Sequence, residues 1–189
     1  MGPVRHALRA ATREIHDRLD KAAILRPLTD PGISTDEYRA ALVALHGFNA
    51  PIERALGGGE GRGGERLDLL RADLADLGLD ADSLPVAAGL PPLDSHPARL
   101  AARYVLDGSA HGGRAMLPNV TRALGFDAER GARFLASAGI DMASRWKVLL
   151  VDLEADLAEP EATEEACRTA VALFAALEVW LEDCVREAA

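Results

Sequence analysis

Apolar residues recur along this chain at steps of three and four almost throughout. That is the period of an amphipathic helix, and no stretch alternates β-branched with polar residues as a strand would. Leu8, Ala11, Ile15, Leu19 and Ala22 make one stripe and predict a first helix over residues 4–23. A second begins at Ser34, where the serine and Glu37 have the spacing of a capping box. Tyr38, Leu42, Leu45, Phe48 and Ile52 then share a face, with Pro51 expected to bend or weaken the helix. Leu67, Leu70, Leu74 and Leu77 predict a third helix, followed by a Gly-, Pro- and Asp-rich loop over residues 78–94. A fourth starts near Pro97, meets a glycine-rich interruption at 108–113, resumes at Arg114 and is limited by Pro118. Residues 129–138 and 140–157 read as helical, the second burying Trp146, Leu149, Leu150, Leu153 and Leu157. The last helix is predicted over residues 163–186, with Thr163 as N-cap and Glu164 and Glu165 at the positive end of its dipole.

The expected fold is therefore all-α: a single domain over residues 1–189, built as a bundle of about seven helices. Hydrophobic residues are 49% of the chain, enough for a real core. A net charge of −9 argues against a general nucleic-acid binder, which needs a basic face for phosphates. Cys167 and Cys184 lie 17 residues apart on one predicted helix, roughly 25 Å at 1.5 Å per residue, too far to bond. Their expected role is as small buried fillers. The glycine run at 57–64 lacks the Gly-Lys-Ser/Thr continuation of a phosphate loop and reads as a surface loop. No apolar run approaches the roughly 18 residues of a membrane span, and a soluble, cytoplasmic protein is expected.

Two places could carry chemistry. The first is His16, whose helical row holds Arg9, Thr12 and Asp20. Asp20 can take a hydrogen bond from one ring nitrogen, fix the tautomer and leave the other nitrogen as a ligand. A half-buried histidine bonded to Asp20 with no ligand satisfies the same spacing. The second is Gly108, Gly112 and Gly113, three glycines in six positions of an otherwise apolar helical pattern. Each costs about 1 kcal/mol relative to alanine, which asks for a reason: a kink, a tight crossing, or backbone approach to a flat ligand. A histidine on one helix and a side-chain-free face on another suit haem, whose iron takes an axial imidazole.

The order of the motifs then resembles the haem oxygenase family. Leu8-Arg9-Ala10-Ala11-Thr12-Arg13-Glu14-Ile15-His16 is similar to its N-terminal segment, which carries the proximal iron ligand. Tyr38-Arg39-Ala40-Ala41-Leu42, on to Ile52-Glu53, resembles the family's second helix. Tyr104-Val105-Leu106-Asp107-Gly108-Ser109-Ala110-His111-Gly112-Gly113 resembles the distal helix of its bacterial branch, including forms that serve bacteriophytochromes. The segment around Trp146 is also similar to that branch.

The resemblance implies an enzyme that opens haem, substrate and cofactor at once, to biliverdin, ferrous iron and carbon monoxide, using O2 and electrons from a reductase or ferredoxin. It implies His16 as axial ligand to the haem iron, Asp20 as its orienting partner and Arg9 as a basic partner for a propionate. Arg103 is a second basic candidate. Gly108, Ser109, Gly112 and Gly113 would form the distal wall. Ser109 stands where many members carry an aspartate that anchors water, which implies a different water network here. His111 stands where the branch has a non-ligating residue, and its two expectations are an imidazole packed or solvated on the distal helix, or one that approaches the iron. The second would give a non-catalytic haem carrier or sensor of the same fold. His46 and Asn49 on the second helix could reach the same pocket or sit in core and surface. Arg5, Arg9, Arg13 and Arg18 could form a basic patch for an acidic ferredoxin, and the acidic residues of 178–187 a solvated face.

Overall fold

The computed structural model describes residues 2–57 and 64–187. Seven α-helices are present among them: α1 (Pro3–Leu19), α2 (Thr35–Ala55), α3 (Glu65–Asp76), α4 (His96–Leu124), α5 (Arg133–Ala136), α6 (Met142–Asp156) and α7 (Pro160–Glu187). Short 3-10 turns occupy Arg26–Thr29 and Ala81–Ser83. The described residues form no strand, only an isolated bridge between Asp127 and Gly131. Residues 58–63 of the expected glycine loop lie outside the described residues. No described helix is long and apolar enough to cross a membrane.

Local signals place several helix ends. Ser34 accepts the Glu37 N–H while the Glu37 carboxylate accepts the Ser34 N–H, completing the capping box at the start of α2. Pro51 is accommodated inside α2 without ending it. The N-terminus of α1 is capped from far away. Glu154 of α6 accepts the N–H groups of Val4 at 3.2 Å and Arg5 at 2.9 Å. A carboxylate there satisfies orphan donors and suits the helix dipole. α1 stops at Leu19 rather than 23, and Thr12 replaces Ala11 on its buried stripe.

Three other expectations change. α4 is one helix through residues 108–113 and past Pro118 to Leu124. Ala101, Ala102, Val105, Leu106, Ala110 and Val120 are buried on either side of the glycines, and that burial outweighs the propensity cost. Gly125, at φ +72°, ends it in a left-handed cap. The helix expected over 129–138 shrinks to α5. Asp127 takes the N–H groups of Glu129 and Arg130 in a side-chain turn, and Asp73 of α3 takes those of Arg133 and Phe134. α7 begins at Pro160, so Thr163 is not its cap; its hydroxyl donates to Leu157 O at the end of α6.

Two clusters form the core. One joins Leu8, Phe48, Ile52, Leu106, Leu153, Leu173 and Trp180 from α1, α2, α4, α6 and α7. The other joins Tyr38, Leu42, Leu70, Leu74, Phe134 and Leu135 from α2, α3 and α5. Cys167 and Cys184 lie on α7, partly buried against the first cluster. Trp180 donates to Ala44 O and lies on Gly47, where an added Cβ would come within 2.3 Å of the ring. His46 is a core histidine, 2% exposed, but neither ring nitrogen has a hydrogen-bond partner. Burial, with Arg71 nearby, holds its pKa below the ordinary value, although Asp82 acts the other way.

Candidate functional site

His16 on α1 and Gly108 on α4 face one cavity of about 610 Å³. Tyr104, Trp146 and Phe174 supply apolar walls, and Arg5, Arg9 and Arg13 a cationic rim. The volume lies inside the roughly 300–1,000 Å³ range of small-molecule and cofactor sites.

The His16 imidazole has two neighbours, one at Nδ1 and one against its ring. Nδ1 lies 3.3 Å from Asp20 Oδ2, the i,i+4 pairing that the spacing predicts. The ring meets Phe174 edge-on, with centroids 6.0 Å apart. Nε2 has no partner among the described residues. The side chain is 57% exposed, so His16 lies on the open side of the cavity rather than within the bundle. His16, Asp17 and Asp20 also bring ligand atoms within 4.8 Å of one another, all exposed. This donor set suits iron held by one imidazole nitrogen with a carboxylate behind it.

The three glycines separate in role. A Cβ on Gly108 would meet only the Trp146 ring, at 3.7 Å, an ordinary contact. Nothing among the described residues requires glycine there, and the residue lines the cavity. A Cβ on Gly112 would meet only Met116, at 3.9 Å; Gly112 is exposed and does not line the cavity. Gly113 is a packing residue: its Cβ would sit 3.1 and 3.2 Å from the Leu135 backbone, where α4 crosses α5. Gly113→Ala is therefore expected to destabilise the apoprotein, by about 1–3 kcal/mol. Gly108→Ala is expected to stabilise it, by about 0.5–1 kcal/mol. Urea unfolding checks both, and a loss at Gly108 as large as that at Gly113 would mean that packing explains both glycines.

Ser109 and His111 also line this cavity. Ser109 donates to Leu106 O at 2.7 Å and accepts from Arg66 Nη1 at 2.9 Å. His111 is exposed, its Nδ1 3.2 Å from Gly108 O and its ring against Trp146 with centroids 5.3 Å apart. Trp146 packs on Tyr104 and lies under the Arg5 guanidinium. Burial holds the Tyr104 phenol above its ordinary pKa, although Arg5 and Arg9 pull it down.

Arg103 does not join this site. It makes two bonds, at 2.9 and 2.8 Å, to the buried carboxylate of Glu53 and lines a different cavity of about 700 Å³. That second cavity also holds Asp107 and Arg145, which pair at 2.9 Å. His46 is walled into the core, and Asn49 donates to Leu45 O within α2. His6 is an exposed residue of α1, and His96 opens α4 beside Asp156. Arg18 is engaged by Glu178, at 2.7 and 3.0 Å, so Glu178 is not simply a solvated charge and Arg18 drops out of the basic patch.

Sequence reading missed Arg66. It is 4% exposed, reaches Ser109 from α3 and stacks over Phe134 at 4.4 Å. Burial pushes its pKa down to about 10. Its place, one residue into a helix after a glycine run, carries no local signal for burial.

No protein-family model matches the chain, and no curated protein matches it. Its fold does match solved structures. One is the NO- and CO-bound heme oxygenase of Neisseria meningitidis, with a TM-score of 0.76 and 23% identity over 96% of this chain and 91% of that one. The all-α architecture is thus a heme oxygenase fold.

Proposed function

We propose that this chain is a haem oxygenase of the bacterial, biliverdin-forming kind, the branch that includes bacteriophytochrome-associated forms. One observation carries the reading: His16, backed by Asp20, and Gly108 face the same cavity from two helices. When bound, haem supplies the oxygen chemistry itself, and with O2 and electrons it is opened to biliverdin, ferrous iron and carbon monoxide.

The chain's own residues bind and orient. His16 Nε2 would hold the iron, with Asp20, 3.3 Å from Nδ1, placed to favour the proton on that nitrogen. Arg9, with Arg5 and Arg13, offers charge to the propionates at the rim. Gly108 would open the α4 backbone to the ring face, and Ser109 offers a hydroxyl oxygen as acceptor to water there. Gly113 acts one step removed, through the packing of α4 on Leu135, and Gly112, exposed and off the cavity, takes no part in the wall. Arg5, Arg9 and Arg13 also suit an acidic reductase or ferredoxin as electron donor.

A second reading is a haem carrier or sensor. It is favoured by His111 lining the same cavity as His16. One experiment separates the two: add one equivalent of hemin to the apoprotein, then ascorbate or a ferredoxin system in air. A Soret band that decays into biliverdin absorbance supports the enzyme. A band that persists, with a ferric spectrum altered by His111→Ala, supports the carrier. No Soret shift at all sinks both.

A further inference from the structure

The wall of the cavity at Ser109 is backed by a buried cation. Arg66 Nη1 donates to both Leu106 O, at 2.6 Å, and Ser109 Oγ, at 2.9 Å. A serine hydroxyl has one proton and two lone pairs. Here the proton goes to Leu106 O and one lone pair to Arg66. What remains for the cavity is a lone pair. Ser109 can accept from a ligand or water, but it cannot donate without breaking a bond.

Arg66 has more to satisfy. Its Nε and Nη2 are buried without a hydrogen-bond partner. Bare N–H groups of a buried guanidinium are costly, and the usual remedy in a polar interior is bound water. Asp107 lies close enough to act on the Arg66 charge, but its carboxylate accepts from Arg145 Nε at 2.9 Å. Asp107 and Arg145 line the second cavity, so the polar groups continue from Ser109 through Arg66 towards it.

We propose that Arg66 is a positioning residue that holds the Ser109 hydroxyl as a hydrogen-bond acceptor towards the first cavity, with buried water on its own Nε and Nη2. This deepens the haem reading and rests on it for its purpose: a water between Ser109 and the bound ligand is oriented with one O–H towards Ser109. Arg66 acts through Ser109 and touches neither ligand nor reacting atoms.

Two measurements test it. In apoprotein labelled with 15N-arginine, one guanidinium shows slowed rotation and cross-peaks to water, and Ser109→Ala shifts its signals. Absence of such a guanidinium, or one indifferent to Ser109→Ala, overturns the proposal. This arm needs only a substitution at an exposed position, and it does not depend on haem. In the ferric haem complex, the pH midpoint of the spectral transition is compared for wild type, Ser109→Ala, Arg66→Lys and the double variant. Lysine keeps the charge and loses the fork. Ser109→Ala moves the midpoint by roughly half a unit or more in the wild-type background and by much less beside Arg66→Lys. Additive shifts overturn the proposal. A wild-type protein that binds no hemin defeats the haem reading, and the labelled-arginine arm then decides this one alone.

Discussion

His16→Ala is expected to remove the sharp Soret band of the hemin complex and to slow biliverdin formation by a factor on the order of 100 or more. Loss of a residue that merely orients a metal ligand typically costs 10–100-fold, and here the ligand itself goes. Asp20→Asn, which keeps the shape but weakens the hold on Nδ1, is expected to fall within that smaller range, roughly 10–100-fold. The folded protein should be little affected, since His16 and Asp20 are 57% and 62% exposed and pair at 3.3 Å. Exposed pairs of this kind contribute little stability. Apoprotein melting thus controls for folding, and hemin titration with turnover in air gives the result. Near-normal turnover in His16→Ala would remove His16 from the site, and the present reading with it.

Asp73→Ala is expected to destabilise the apoprotein by about 3–5 kcal/mol. Asp73 is completely buried on α3. Its carboxylate accepts the backbone N–H groups of Arg133 at 3.0 Å and Phe134 at 2.8 Å, and Arg133 Nη1 at 3.1 Å. Alanine leaves the Arg133 and Phe134 N–H groups without their acceptor and frees the start of α5 from α3, while Arg133 Nη1 keeps its bond to Asp76. At 2–4 °C per kcal/mol for a chain of this size, the melting temperature should fall by roughly 6–20 °C. The effect reaches the site, because α5 carries Phe134 beneath Arg66 and Leu135 against Gly113. Asp73→Asn, which keeps one acceptor oxygen, should lie between. A loss below about 1 kcal/mol for Asp73→Ala would mean that α5 is held by apolar packing alone.

The two halves of the candidate site were not equally legible. His16 and Asp20 are four residues apart on one helix, so their pairing follows from helical geometry and is seen at 3.3 Å. The glycines were visible as a cost in propensity, but not as three different roles. Gly113 answers to the backbone of Leu135, and Gly108 to a cavity. Arg103 shows the opposite failure. It lies one residue before Tyr104, a cavity residue, yet its helical angle turns it to Glu53 on α2.

Helical periodicity, the Ser34–Glu37 box and the histidine–aspartate spacing are properties of neighbours within a few residues, and the sequence alone determined them. It also set the all-α class, because apolar stripes at steps of three and four have no strand to form. Tertiary structure decided the rest. α4 runs unbroken through its glycines because buried residues flank them on both sides. α1 is capped by Glu154, about 150 positions away, and Ser109 is held by Arg66 across 43. Contacts at such separations exist only once the helices have packed, and no periodicity within a single helix encodes them.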